Sequence, residues 1–185
     1  MKLAKFSVIG LLLSVSTAQA VEYNQVVPAQ SALSFGYRQM GVAMEGKFTK
    51  FSAQLAFDPA KLTSARASID VNLASIDTGS TDADEEVAGK KWFNAKTYPL
   101  ASFVSSGVKF MGGNRYQATG KLTIKGKTLD VTAPLTFDGR AFDGSFTLKR
   151  LAYGIGTDEW ADLGTVADEI QIKFHLVVLA SPAKK

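Results

Sequence analysis

Between Tyr116 and Lys125 the chain alternates. Tyr116, Ala118, Gly120, Leu122 and Ile124 occupy one phase, and Gln117, Thr119, Lys121, Thr123 and Lys125 the other. Strand side chains point to opposite faces with period two, so such a segment has one apolar and one wet face. The pattern recurs in Leu33, Phe35 and Tyr37, then in Phe51, Ala53, Leu55 and Phe57, and in Ile69, Val71 and Leu73. It returns in Leu129, Val131, Ala133, Leu135 and Phe137, and in Phe142, Gly144, Phe146 and Leu148. The last instance is Ile170, Ile172, Phe174, Leu176 and Val178. Only DADEEVAGKKWF, residues 82–93, reads as helix, with Asp82 or Asp84 as its cap.

The breaks in this pattern place the turns. Residues 46–59 read as one strand, from Gly46 to the Asp58-Pro59 stop. The apolar phase flips at Ser75-Ile76, which predicts a β-bulge. SFVSSGVKF is ambiguous, because Phe103 sits in one phase and Val104, Val108 and Phe110 in the other. Gly112-Gly113-Asn114, Gly126 and Asp138-Gly139 mark tight turns. Eight strands with short connections predict an all-β antiparallel barrel or sandwich, and the barrel is favoured because closure removes edges. Strands of ten or eleven residues span about 35 Å, so the barrel is long.

The first twenty residues read as a different object. MKLAK carries two early positive charges, FSVIGLLLSV is apolar, and Ala18-Gln19-Ala20 offers a small-residue cleavage site. This order predicts a secretory signal peptide over residues 1–20, with one barrel domain over 21–185. The apolar run is shorter than the ~20 residues of a spanning helix. The formal charge of +4 loses Lys2 and Lys5 with that leader, leaving 19 basic against 17 acidic residues. No basic cluster stands out, so nucleic acid is not an expected partner. The absence of cysteine rules out a disulfide framework. Together these features predict an exported periplasmic protein, and they leave a monomer or a homodimer open.

Catalytic constellations are scarce. The single histidine, His175, falls in the wet phase beside Lys173. Without cysteine and with that placement, zinc sites and Ser/His or Cys/His nucleophiles have no foundation. An EF-hand loop starting at Asp82 needs glycine sixth and glutamate twelfth, where Val87 and Phe93 stand. The acidic run Asp82, Asp84, Glu85 and Glu86 reads instead as a first turn favoured by the helix dipole. Asp158, Glu159 and Asp162 flank Trp160 in a loop and make a poor glycosidase pair. Gly154-Ile155-Gly156 lacks the third glycine of a dinucleotide site. No cofactor, metal or catalytic residue is expected, and the chain is not read as an enzyme. Arg150 is the exception in the apolar phase of its strand; there it must find partners, and a structural ion pair is the first expectation.

Alternation alone does not say what the oily face encloses. A soluble barrel has oil inside, whereas an outer-membrane barrel inverts this. The apolar phase includes Ala118, Gly120, Ala133 and Gly144, poor cover for lipid, while the polar phase carries Lys121, Asp130 and Asp143. Oil inside is therefore expected, without stable membrane insertion. An eight-stranded interior is either filled by side chains or holds one small ligand. The small residues favour a bore; a filled barrel acting as a stress-response or protein-interaction module is the alternative.

Five blocks then resemble a known family. VPAQSALSFGYRQMGVAMEGKFTKFSAQLAFDP, ASIDVNLASIDTG, KKWFNAKTYPLASFVSS, GKLTIKGKT and ADEIQIKFHL, in that order, are similar to the YceI-like periplasmic polyisoprenoid-binding proteins over residues 22–179. The resemblance implies a lipocalin-like barrel whose tunnel holds an isoprenoid or another long apolar chain, without catalysis. Trp92-Phe93, Tyr98-Pro99 and Arg150 match the family pattern. Gln30-Ser31 stands where the family often has His-Ser, Gln39 replaces another histidine, and Ala83, Asp84, Glu85 and Glu86 replace an Arg-Asp-x-His stretch. The expected ligand-lining residues are Phe35, Phe51, Leu55, Phe57, Ile69 and Val71, with Trp92, Phe93 and Phe110. Ala118, Gly120, Leu122, Phe146 and Arg150 complete the set.

Overall fold

A computed structural model describes residues 21–182. The leader reading for residues 1–20 lies outside the described residues. The strands are β1 (Val21–Val26), β2 (Ala32–Gln39), β3 (Val42–Phe48), β4 (Phe51–Ala56), β5 (Arg66–Asn72) and β6 (Ile76–Asp77). After helix α1 (Thr81–Ala88) come β7 (Leu100–Gly112), β8 (Arg115–Ile124), β9 (Lys127–Phe137), β10 (Ala141–Lys149) and β11 (Glu169–Pro182). They form one curled antiparallel sheet, ordered β4-β5-β7-β8-β9-β10-β11-β2-β3-β6, with β1 paired to the end of β11.

Eleven strands replace the eight expected from alternation. β1, β3 and β6 were not expected: VEYNQV and VAMEGKF have no clean apolar phase, and β6 is two residues long. Residues 46–59 are not one strand. Their first part belongs to β3, paired with β2, and Phe51–Ala56 pairs instead with β5. Thr49 and Lys50 turn the corner, where their N–H groups donate to the Ser75 carbonyl and hydroxyl. The two edges of the sheet are thus joined by the chain itself rather than by a ladder. Elsewhere β1 closes onto the segment after β4 through reciprocal bonds between Tyr23 and Phe57 at 2.8 and 3.0 Å.

The Ser75-Ile76 phase flip comes from a 3-10 turn at Leu73–Ser75, not from a β-bulge. The bulge lies in β7, where the register against β8 shifts between Ser105 and Gly107. That shift lets Phe103 and Val108, an odd number of residues apart, both face inward. The helix is also shorter than expected. Ser80, not Asp82 or Asp84, caps it by accepting from Ala83 N–H, and residues 89–98 continue as turns. Asp84 accepts from the Thr78 N–H and hydroxyl at 2.8 and 2.7 Å, tying the first helical turn to the end of β6.

The apolar phase faces inward. Tyr116, Leu122, Ala133, Phe142, Leu148 and Leu176 are buried. The outer face carries the exposed pairs Lys121–Asp130 and Lys173–Glu45. Interior packing divides into two clusters. One, toward α1, gathers Leu73, Trp92, Tyr153, Ile155 and Val166; the other gathers Phe57, Tyr116, Phe137, Phe142 and Val178 at the opposite end.

Candidate functional site

Between these clusters lies a cavity of about 560 Å³, within the range of small-molecule sites. Its floor is aromatic. Phe57 sits edge-on to Tyr116, Phe137 and Phe142 at 5.3, 5.2 and 5.0 Å. Such edge-to-face contacts satisfy the ring quadrupoles and make a rigid base. Leu55, Ile69 and Val71 form one wall, and Ala118 with Leu122 another; Phe35 and Phe146 complete it. The roof is the turn after α1, bearing Trp92 and Phe93, with Trp160 facing Trp92 at 5.4 Å.

Three expected lining residues lie elsewhere. Phe51 follows the Thr49-Lys50 corner and packs between the two clusters, off the cavity wall. Phe110 is 56% exposed and lies tilted against Tyr116, with ring centroids 5.4 Å apart, past the aromatic floor. Gly120 is covered by Phe103: a β-carbon there would meet that ring and the Val104 carbonyl at 2.5 Å. Phe35 covers Gly46 and Phe174 covers Gly144 in the same way. Glycine thus keeps the bore open indirectly, by letting a phenylalanine from the neighbouring strand lie flat against the wall.

Arg150 is 1% exposed and forms no salt bridge among the described residues. The expected ion pair is replaced by a cage of carbonyls. Nε donates to Ala167 at 3.0 Å, Nη1 to Ile155 and Gly156 at 2.9 and 3.1 Å, and Nη2 to Trp160 and Val166 at 2.7 Å each. All five guanidinium N–H groups are used. These carbonyls belong to the loop between β10 and β11, which has no ladder to receive them. A β-carbon on Gly156 would run into Nη1. Burial lowers the Arg150 pKa from its ordinary value, and Asp168 pulls it back upward. The guanidinium also lies over the Trp92 ring at 5.4 Å.

Polar groups on the lining concentrate at its ends. Tyr37, Gln39, Thr78, Ser80, Asp82 and Glu86 stand at the α1 end, and Arg66 with Ser105 at the other. Burial, then the nearby Asp84 carboxylate, raises the Tyr37 phenol above its ordinary value, so it stays neutral. Periodicity could not find Trp160, Asp82 or Glu86, which lie in a loop and a helix, and the β7 bulge hid Phe103. His175 is outside, with Nδ1 2.6 Å from Asp143.

The YceI-like domain matches residues 25–178. The chain belongs to the YceI-like family. A UPF0312 protein of Photorhabdus laumondii is 33% identical over 124 residues, 66% of this chain and 64% of that one. The crystal structure of Burkholderia cenocepacia BcnA shares 51% identity and superposes with a TM-score of 0.80, covering 84% of this chain and all of that one. A polyisoprenoid binding domain from Saccharophagus degradans has the same fold at 14% identity, with a TM-score of 0.60 over 88% of this chain and 100% of that one. The YceI-like fold is thus a curled, lipocalin-like antiparallel sheet around an apolar bore.

Proposed function

We propose that this YceI-like protein is exported to the periplasm, where it binds, and transports or stores, a long apolar molecule of the isoprenoid class. The observation that carries the reading is the cavity between the two packed clusters. Protein interiors are close-packed, with few voids larger than a water. A cavity of about 560 Å³ lined mostly by apolar side chains and reaching solvent leaves that apolar surface wet, and an apolar guest gains about 0.8 kcal/mol for each methylene it buries there. The Saccharophagus domain's name supports the ligand class by fold analogy only. The leader-like pattern of residues 1–20 supports export.

Mass spectrometry of organic extracts from the protein purified from its native host tests the reading. A prenyl-chain lipid present at near one per chain is the expected result. Folded protein that carries no extractable lipid and takes up none from solution would refute it.

A further inference from the structure

We infer that the aromatic-floor end of the barrel docks reversibly on an anionic lipid surface, where Lys61, Arg66, Lys109, Arg115 and Arg140 meet the head groups. Phe110 and Met111, beside the β7–β8 turn, enter the interface between them. This contact is independent of which guest the cavity holds.

No run of sequence gathers these five cations; the fold does. Lys61 and Arg66 flank the 3-10 turn Leu62–Ser64 between β4 and β5, which lies beside β7. Lys109 and Arg115 stand on the β7–β8 hairpin, and Arg140 sits in the β9–β10 turn. These turns share one end of the barrel. Leu62 and Ala65 pack on the floor cluster, and the Phe137 N–H donates to the Asn114 carbonyl at 2.9 Å. All five cations are exposed, and none makes a salt bridge among the described residues. Three acids stand at the same end. Asp58 and Asp138 accept backbone N–H groups of their own turns, and Glu22 lies on β1. At the α1 end, by contrast, cations are interleaved with acids, Lys91 pairing with Glu159 and Lys47 with Asp77.

Phe110 is 56% and Met111 51% exposed. Unpaired cations around exposed apolar side chains suit the boundary of an anionic bilayer, which takes the apolar groups in and holds Lys and Arg at its head groups. A nucleic-acid strand would use the cations but give Met111 no apolar phase. The cavity lining also reaches the surface at this end, at the exposed Arg66 beside Ala65 and Ser105. There the β5–β7 ladder stops at Ser68 and Val104, and the Ser105 hydroxyl accepts the Ala67 N–H at 2.7 Å. Docking thus sets this edge of the cavity beside the bilayer. Two apolar side chains and five cations hold far less firmly than a spanning segment, so the protein stays recoverable in aqueous fluid.

Vesicle flotation of the purified protein tests this. Vesicles of phosphatidylcholine alone are compared with vesicles that also contain a minority of phosphatidylglycerol, at low and at high salt. The mixed vesicles should bind at least about tenfold more tightly at low salt, and high salt should remove the difference. Lys61→Glu with Lys109→Glu should weaken that binding about tenfold or more. Lys90→Glu with Lys96→Glu makes the same change of net charge at the α1 end and should leave binding within about twofold. Met111→Ser, at an exposed position, should weaken binding about threefold at low salt. Thermal melting confirms that each variant is folded. Equal losses in the two charge-reversed pairs would assign binding to net charge and overturn the docking face. A folded wild type that ignores the mixed vesicles, or binds both kinds equally, overturns the inference. Single-stranded DNA bound where the mixed vesicles are not would assign the cations to nucleic acid instead. None of these readouts involves the guest, so their failure is distinct from a failure of the binding reading.

Discussion

The ring of Phe103 on β7 lies over Gly120 on β8, where a β-carbon would stand 2.5 Å from its Cε2. The strand carries a glycine there because the ring needs the room. Phe103 is itself a lining residue, so this contact holds a large side chain against the wall instead of in the bore. Gly120→Ala should push the ring inward, destabilise the fold by about 1–3 kcal/mol and reduce bound lipid. Gly36→Ala is the control. Its β-carbon would meet nothing closer than 3.8 Å, so denaturant melting should show no loss, or a small gain from the stiffer backbone.

The carbonyl cage around Arg150 makes a second prediction. Arg150→Met fills similar space but leaves five carbonyls, three of them in fully buried bonds, without their donor. The expected loss is about 3 kcal/mol or more, read as a lower denaturant midpoint. Arg150→Lys should not rescue it, because an ammonium has three donors and no planar fork. Full stability in the lysine variant would mean that the charge matters and the fork does not.

Much of this architecture was legible from period-two alternation, and the failures have local causes. β8, β10 and the inner residues of β11 keep one phase from end to end, as Tyr116 to Ile124 does, because each holds an unshifted register against a neighbour: β8 with β9, β10 with β11, and β11 with β2. β7 could not be phased because the Ser105–Gly107 bulge swaps its faces midway. The corner at Thr49-Lys50 carries no glycine or proline, so nothing in GKFTKFSAQL marks where β3 ends. Cavity-lining residues on continuous strands, such as Ile69, Ala118 and Leu122, follow from phase alone. Phe51 and Phe110 share the right phase but sit beyond the corner and the floor, a position along the barrel axis that alternation does not encode. Arg150 read as an anomaly in its strand, but its partners are backbone carbonyls, invisible to any pattern of side chains.

Asp138 gives a pH signature. Its carboxylate accepts the N–H groups of Ala141 and Arg140 at 2.7 and 2.8 Å in the β9–β10 turn, and these bonds lower its pKa. A depressed folded value means that the contribution is complete above the unfolded aspartate value of about 3.9. It is lost as pH falls through the folded value. Wild type should therefore be more stable than Asp138→Ala at neutral pH, with the difference shrinking on acidification below about pH 4. A difference that persists unchanged in acid would remove the carboxylate from the explanation.

The proposed location has its own check. The inward apolar phase and the exposed ion pairs of the outer face predict recovery in osmotic-shock fluid without detergent. Protein found only in the membrane pellet would contradict export as a soluble barrel.

The central claim is that the oily face encloses a guest as well as packed side chains. Ala118→Phe tests it most directly, because Ala118 lines the cavity and pairs with another small residue, Ala133, across β8 and β9. The measurement is extractable lipid per folded chain, in wild type and variant side by side, with circular dichroism confirming the fold. The account predicts a lipid-loaded wild type and a folded, lipid-free variant. A variant that unfolds, beside a folded wild type that yields no lipid, would mean that the interior encloses only protein.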